Sequence, residues 1–187
     1  FGASGTTVDI IVPKKFLNYL SSHLKVGEVE LLLAEDHLAA KVGSDVVITR
    51  IIDESFPNYE TVIPKENNKR LVVEKNSLLG AIKRVSIFSN KSTHQVALSL
   101  DSEGCKITTE DPEKSSKAQE RIAATYEGDP IVIGYNAEYL KDVVSHIDGE
   151  EVAIDLSSPV SAALFSSMQS DEKVESIMLL MPIRLND

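Results

Sequence analysis

Apolar and polar positions along the chain change period in a repeating order. From Val8 to Pro13, "VDIIVP" is an apolar, β-branched run ended by its proline, the pattern of a strand. "KKFLNYLSSHLK" then sets Phe16, Leu17, Leu20 and Leu24 at helical spacing, so an amphipathic helix follows. After Gly27 come "EVELLLAED", "HLAAKVG" and "DVVITRII", strand-like runs separated by turn residues at Glu35-Asp36 and Gly43-Ser44. The predicted unit is β-α-β-β-β.

The same order returns near the end. "PIVIGY" reads as a strand, Asn136 as a helix N-cap, and Leu140, Val143, Val144 and Ile147 as one helical face. "EEVAIDL", "VSAALFS" and "ESIMLLMPIRL" supply the strands after it. A looser copy lies between the two: "RLVVEK" as strand, "NSLLGAIKRVSIFSN" as helix, then "QVALSLD", "GCKITTED" and "QERIAATYEG" as strands. Self-similarity on this scale marks a repeat architecture.

One such unit cannot close a core alone, so two units are expected to pair into one domain, with antiparallel sheets outside and two helices on one side. The fold class predicted is α+β. The last two units, from about residue 60 to 187, make a complete domain; the first, from about 8 to 53, lacks its partner. The chain therefore reads as part of something longer.

Composition changes this picture little, but charge changes it more. The formal net charge is −10, which by itself argues against a phosphate-rich partner. Its distribution is uneven. Ile10 to Gly27 holds no acid but has Lys14, Lys15 and Lys25; Lys75 to Leu100 holds none but has Lys75, Lys83, Arg84 and Lys91. Pairing of the units would gather Lys14, Lys15, Lys83 and Arg84 on one helical face, a basic strip on an acidic protein. The alternative reading is that these residues only solvate helix exteriors.

Candidate chemistry is sparse. Acidic doublets at Asp53-Glu54 and Glu150-Glu151, with Asp155, are the imaginable acid/base pairs, but such doublets in turns are usually solvated, and no enzyme is expected. His23, His37, His94 and His146 are scattered, and Cys105 is the single cysteine, so neither a metal site nor a disulfide is expected. "FGASG" lacks the lysine and following helix of a phosphate loop, and no other feature calls for a cofactor. No run approaches a membrane span, and "FGASGTTVD" lacks the regions of a signal peptide. With one thiol, the chain is expected in a reducing cytoplasm, away from membranes.

These motifs together resemble the bacterial sliding clamp, the beta subunit of DNA polymerase III. "FPNYETVIP", residues 56–64, is similar to the family's Phe-Pro-Asp-Tyr, x-x-Val-Leu-Pro linker, and "MPIRL" to its Met-Pro-Met-Arg-Leu terminus. Between them "SLLGAIKRVSIFSNKSTHQVALSL", "ITTEDPE", "ATYEGDPIVIGYNAEYLKDVV" and "SPVSAALF" follow family landmarks in order and spacing. The match covers essentially the whole chain. An archaeal or eukaryotic-type clamp, which joins its domains through a different connector and tail, and a generic peptide-binding module unrelated to DNA are the alternatives.

The resemblance implies a DNA-clamp fold in which residues 1–53 are the second half of a middle domain, 54–60 an interdomain linker and 61–187 the whole third domain. It implies a processivity factor: a homodimeric ring around duplex DNA, read without sequence preference, that tethers the replicative polymerase, the clamp loader and repair proteins through short peptides. Carried over position by position, the peptide-docking pocket would comprise Pro57, Thr61, Val62, Thr93, Asn136, Tyr139, Val160, Ala162, Leu180, Met181, Pro182, Ile183 and Arg184. Lys14, Lys15, Lys83 and Arg84 would face DNA, and Ile87 and Phe88 the ring interface. Thr61 stands where the family often has Arg, and Thr93 where an aromatic can occur, which implies a different peptide preference. The family's first domain and its Thr-Asp-Gly-His-Arg-Leu wall of the pocket would precede Phe1, so this chain is not expected to close a ring by itself. Pro57 and Pro64 are expected to keep the connector extended, with its aromatics pinned to the flanking domains.

Overall fold

The structure, a computed structural model, describes residues 8–23, 28–169 and 176–185. The chain divides into two compact units, Phe1–Asn58 and Tyr59–Asp187.

In the first unit α1 (Lys14–His23) packs on a three-stranded antiparallel sheet of β1 (Glu30–Leu33), β2 (His37–Val42) and β3 (Asp45–Arg50), in the order β1-β2-β3. Phe16 and Leu20, one helical turn apart, are buried with Leu38 and Ala40 in a small core. Leu17, expected on the same face, is exposed; it lies a third of a turn away from Phe16, beyond the reach of the sheet. Leu24, Lys25 and Gly27 lie outside the described residues. "VDIIVP" forms only an isolated antiparallel bridge, Ile11 to Ile52, in place of the full strand its pattern predicts. Pro13 cannot donate to a ladder, and Ile10 and Val12 instead pack against the small core.

The second unit holds the other two repeats, interlocked. The middle repeat is β4 (Lys69–Glu74), α2 (Lys75–Ser86), β5 (Gln95–Asp101), β6 (Gly104–Asp111) and β7 (Ser116–Ile122), continued by β8 (Ala124–Glu127). The last is β9 (Ile131–Asn136), α3 (Ala137–Ser145), β10 (Glu151–Leu156), β11 (Ala163–Ser167) and β12 (Ile177–Leu180). Each repeat lends its first strand to the other: β4 pairs with β10, Val72 opposite Ala153, and β9 pairs with β5, Gly134 opposite Ala97. The sheets run β12-β11-β10-β4-β8 and β7-β6-β5-β9. "QERIAATYEG", predicted as one strand, changes sheet at Ala123, so its two ends serve different ladders.

Both sheets bury alternate residues against α2 and α3. Leu71 and Val73 of one sheet, Val96, Leu98, Leu100, Ile107 and Ile133 of the other, and Leu78, Ile82, Leu140 and Val144 of the helices share one core. Each such side chain contributes roughly 1.5–3 kcal/mol of burial. The helices start at matching points. Glu74 caps α2, its carboxylate accepting from Asn76 and Ser77 N–H, and Asn136 caps α3, its Oδ1 accepting from Glu138 and Tyr139 N–H.

The connector is neither uniformly extended nor pinned by its aromatics. Tyr59–Thr61 form a 3-10 turn, in which Val62 N–H donates to the Tyr59 carbonyl at 3.1 Å. Neither proline falls between Asn58 and Ile63, so nothing there forbids a turn. Phe56 and Tyr59 are 69% and 61% exposed.

Candidate functional site

Val62, expected in the docking pocket, lines an apolar groove of about 390 Å³ with Tyr59, Ile63, Ile177 and Leu179. The 3-10 turn presents Tyr59 and Val62, and β12 supplies Ile177 and Leu179 from the edge of the five-stranded sheet. Sequence reasoning alone misses Tyr59, Ile63, Ile177 and Leu179. An alternation signal points to the last of these: in β12, Leu180 is buried in the core, which turns its neighbour Leu179 outward. Leu180 itself, expected in the pocket, is a core side chain, and Ala162 is likewise buried.

A second group gathers at the start of α3. Asn136 Nδ2 donates to the Thr93 carbonyl at 3.3 Å while its Oδ1 caps the helix, so this side chain ties the 90s loop to α3. Tyr139, in the first turn, is 64% exposed. Lys141 Nζ donates to Glu138 at 2.7 Å, and that bond holds the Glu138 carboxyl below its ordinary range. Val160 stands exposed on the turn before β11, where Ser158 and Ser161 hydroxyls meet at 2.7 Å.

Beyond β12 the chain carries Met181, Pro182, Ile183 and Arg184 to the edge of β9, where Ile183 N–H donates to the Gly134 carbonyl at 2.9 Å. Met181 and Arg184 are exposed and Pro182 and Ile183 half-buried. Pro57 falls in the first compact unit, and Thr61 ends the 3-10 turn of the second.

The residues expected to face DNA divide. Lys14 and Lys15 begin α1 and are exposed. Lys83 and Arg84 sit in the last turn of α2; both are exposed, but Arg84 is committed to Glu120 of β7 by paired hydrogen bonds. Ile87 and Phe88, just past α2, are 75% and 46% exposed. Ser116, which opens β7, donates its hydroxyl to the Phe88 carbonyl at 3.1 Å, placing this apolar pair beside a sheet-edge strand.

Among the described residues no three His, Cys, Asp or Glu side chains gather as metal ligands, and no helix is long and apolar enough to cross a membrane.

Two β-α-β-β-β units with exchanged first strands, helices packed together beneath two antiparallel sheets, define the α+β fold of a DNA clamp. Residues 60–184 match the family model described as DNA polymerase III beta subunit, C-terminal domain, and the chain belongs to that family. It is 34% identical over 178 residues to a beta sliding clamp of Pseudomonas putida, an alignment covering 94% of this chain and 47% of the relative. A crystal structure of the sliding clamp of Bartonella birtlesii bound to griselimycin superposes with a TM-score of 0.85 at 31% identity, covering 94% of this chain and 47% of that one. A Pseudomonas aeruginosa clamp with ligand superposes with a TM-score of 0.84 at 33% identity, over 94% and 48% of the respective chains. The chain spans about half the length of the curated relatives it matches.

Proposed function

We propose that this chain works by holding, without catalysis, as part of a ring that encircles duplex DNA and tethers the replicative polymerase, the clamp loader and repair proteins through short peptides. The observation that carries this reading is the groove of Tyr59, Val62, Ile63, Ile177 and Leu179: an apolar recess at the surface, built from the 3-10 turn and β12. An apolar recess of this size accepts one or two Leu or Phe side chains of a peptide, each worth roughly 1.5–3 kcal/mol when buried. Thr61, Thr93, Asn136, Tyr139, Val160 and the run Met181–Arg184 extend the docking surface around it.

Residues 1–53 act as the second half of a middle domain, 54–60 as the linker and 61–187 as the third domain. Strand pairing supports this division. In the second unit the leading strand of each sheet, β5 or β10, receives a strand from the other repeat, whereas β1 has no second partner among the described residues. Its Leu31, Leu32 and Leu33 are 43%, 56% and 46% exposed, an apolar edge suited to a missing strand.

The basic α1 and α2 residues Lys14, Lys15 and Lys83, with Arg84 whose charge Glu120 partly offsets, supply phosphate contacts that carry no sequence information, which suits sliding. Ile87 and Phe88 with the β7 edge form the ring interface.

Titration with a labelled nonapeptide carrying adjacent Leu and Phe tests the docking reading. Binding that disappears when both anchors become Ala, and that falls at least about tenfold in Leu179→Asp, is the expected result. Equal binding of the two peptides overturns it.

A further inference from the structure

We infer that Gly134 is the positioning residue that seats the terminal segment Met181–Leu185, and so shapes one wall of the peptide-docking surface; the docking part rests on the reading proposed above.

Internal symmetry isolates the feature. Glu74 and Asn136 are both helix N-caps at the end of a first strand, so Val72, two residues before Glu74, corresponds to Gly134, two residues before Asn136. The chain leaving β7 runs on as β8 and pairs regularly with β4, from Arg70 opposite Glu127 to Val73 opposite Ala124, with Thr125 opposite Val72. The chain leaving β12 reaches the corresponding edge of β9, where among the described residues it makes a single bridge, Ile183 opposite Gly134. Val72 thus lies within a ladder, whereas Gly134 lies at an isolated bridge. Leu185 leaves the edge and leans over the outer face of the four-stranded sheet, where it borders a groove floored by Ala97 and Thr108. A Cβ on Gly134 would stand 2.6 Å from Leu185 Cδ2 and 2.8 Å from the Ile183 carbonyl oxygen. Neither distance is tolerated, and the second contact is with backbone, so rotation of a side chain does not relieve it. Any residue with a side chain at 134 therefore displaces the terminal segment, whereas Val72 is accommodated at the equivalent point by an ordinary ladder.

Met181 and Pro182 lie between β12 and the bridge at Ile183, and Arg184 follows it directly, so the bridge sets the course of the run. A docking surface tolerates little displacement of its walls. Gly134 touches no peptide in this arrangement and acts only through the segment it seats.

The test compares the wild-type chain with Gly134→Ala, Leu185→Ala and the double variant, reading amide exchange at Ile183, thermal midpoint and affinity for the Leu-Phe nonapeptide. Gly134→Ala is expected to speed Ile183 exchange and to weaken the peptide about tenfold with most of the thermal midpoint retained. Leu185→Ala, which leaves the strand intact, is expected to loosen the segment less, and the double variant to recover part of the affinity by removing one of the two clashes. Unchanged Ile183 exchange in Gly134→Ala overturns the seating role. Faster exchange with unchanged peptide affinity overturns its link to docking. If the wild-type chain binds no peptide, the docking reading fails by itself, and Ile183 exchange still decides whether Gly134 seats the segment. If Gly134→Ala does not fold, the double variant, which relieves the side-chain clash and keeps the backbone one, decides: unchanged exchange at Ile183 in it overturns the proposal.

Discussion

Arg84 of α2 and Glu120 of β7 hold each other through two parallel bonds, Nε to Oε2 at 2.9 Å and Nη2 to Oε1. The hydrogen bond from Arg84 keeps the Glu120 carboxyl below its usual range, and the same bond raises the guanidinium. A cation in a fork-to-fork pair offers less net charge to a phosphate than a free one. Glu120→Gln is therefore expected to strengthen retention on duplex DNA in an assembled ring and to steepen its salt dependence, while Lys83→Glu weakens retention. Filter or fluorescence retention assays at several salt concentrations check both, and a Glu120→Gln ring with unaltered salt dependence contradicts the assignment of Arg84 to the DNA-facing strip.

The pair also carries a pH signature. Glu120 has its folded-state pKa depressed, so its contribution to stability is present above the ordinary glutamate range and is lost as pH falls through the lowered value. Wild type should exceed Glu120→Gln in thermal midpoint at neutral pH, and the difference should close on acidification. A gap that widens in acid would show that another group dominates.

Lys75 joins the two helices. From the first turn of α2 its ammonium donates to the Ser145 carbonyl at 3.1 Å and to the Ile147 carbonyl, both at the C-terminal end of α3. Those carbonyls lack intrahelical partners and sit at the negative end of the helix dipole. Lys75→Met keeps the length of the side chain but removes the donor, and is expected to lower unfolding stability by about 1–2 kcal/mol. Urea denaturation measures this, and a midpoint equal to wild type would mean that solvent caps α3 equally well.

Legibility in the sequence depends on what each residue has to match. Strands and helices of the second unit follow from period alone, because β5 reads Val96, Leu98, Leu100 inward and its neighbours outward without help from elsewhere. The switch at Ala123 is hidden, since both β7 and β8 alternate and only the identity of their partners differs. Leu17 is misplaced because a ten-residue helix with four apolar candidates does not say which face its small sheet will cover. At the groove, Val62 comes through family resemblance, while Ile177 and Leu179 look like core until the burial of Leu180 shows which side of β12 faces in. Arg84 counts as a free cation in the sequence because Glu120 lies 36 residues further along the chain, on another element.

Cys105 on β6 is fully buried, and burial pushes its thiol up to about 12. Thiol–disulfide exchange requires thiolate and access, and the native fold supplies neither. Labelling with an aromatic disulfide at mildly alkaline pH should therefore be slow in the folded state and fast in denaturant, making its rate a measure of opening of the core. Rapid labelling under native conditions would show that β6 opens locally.

Ile87 and Phe88 lie outside the core, just where α2 ends and within one hydrogen bond of the β7 edge. Their exposure, 75% and 46%, is high for adjacent large apolar side chains, and the outer edge of β7 beside them, which has no partner among the described residues, offers N–H and C=O groups to another chain. A partner that extended the four-stranded sheet from β7 would bury both side chains against its own surface in the same step. Replacing both with Asp should then reduce concentration-dependent association, seen by sedimentation, and should leave the thermal midpoint of the dilute chain close to wild type because no core contact is removed. Replacing only Lys117 and Gln119, whose side chains are exposed along the same edge, should have a smaller effect. Equal association of the Asp double variant and wild type would remove this corner from the ring interface.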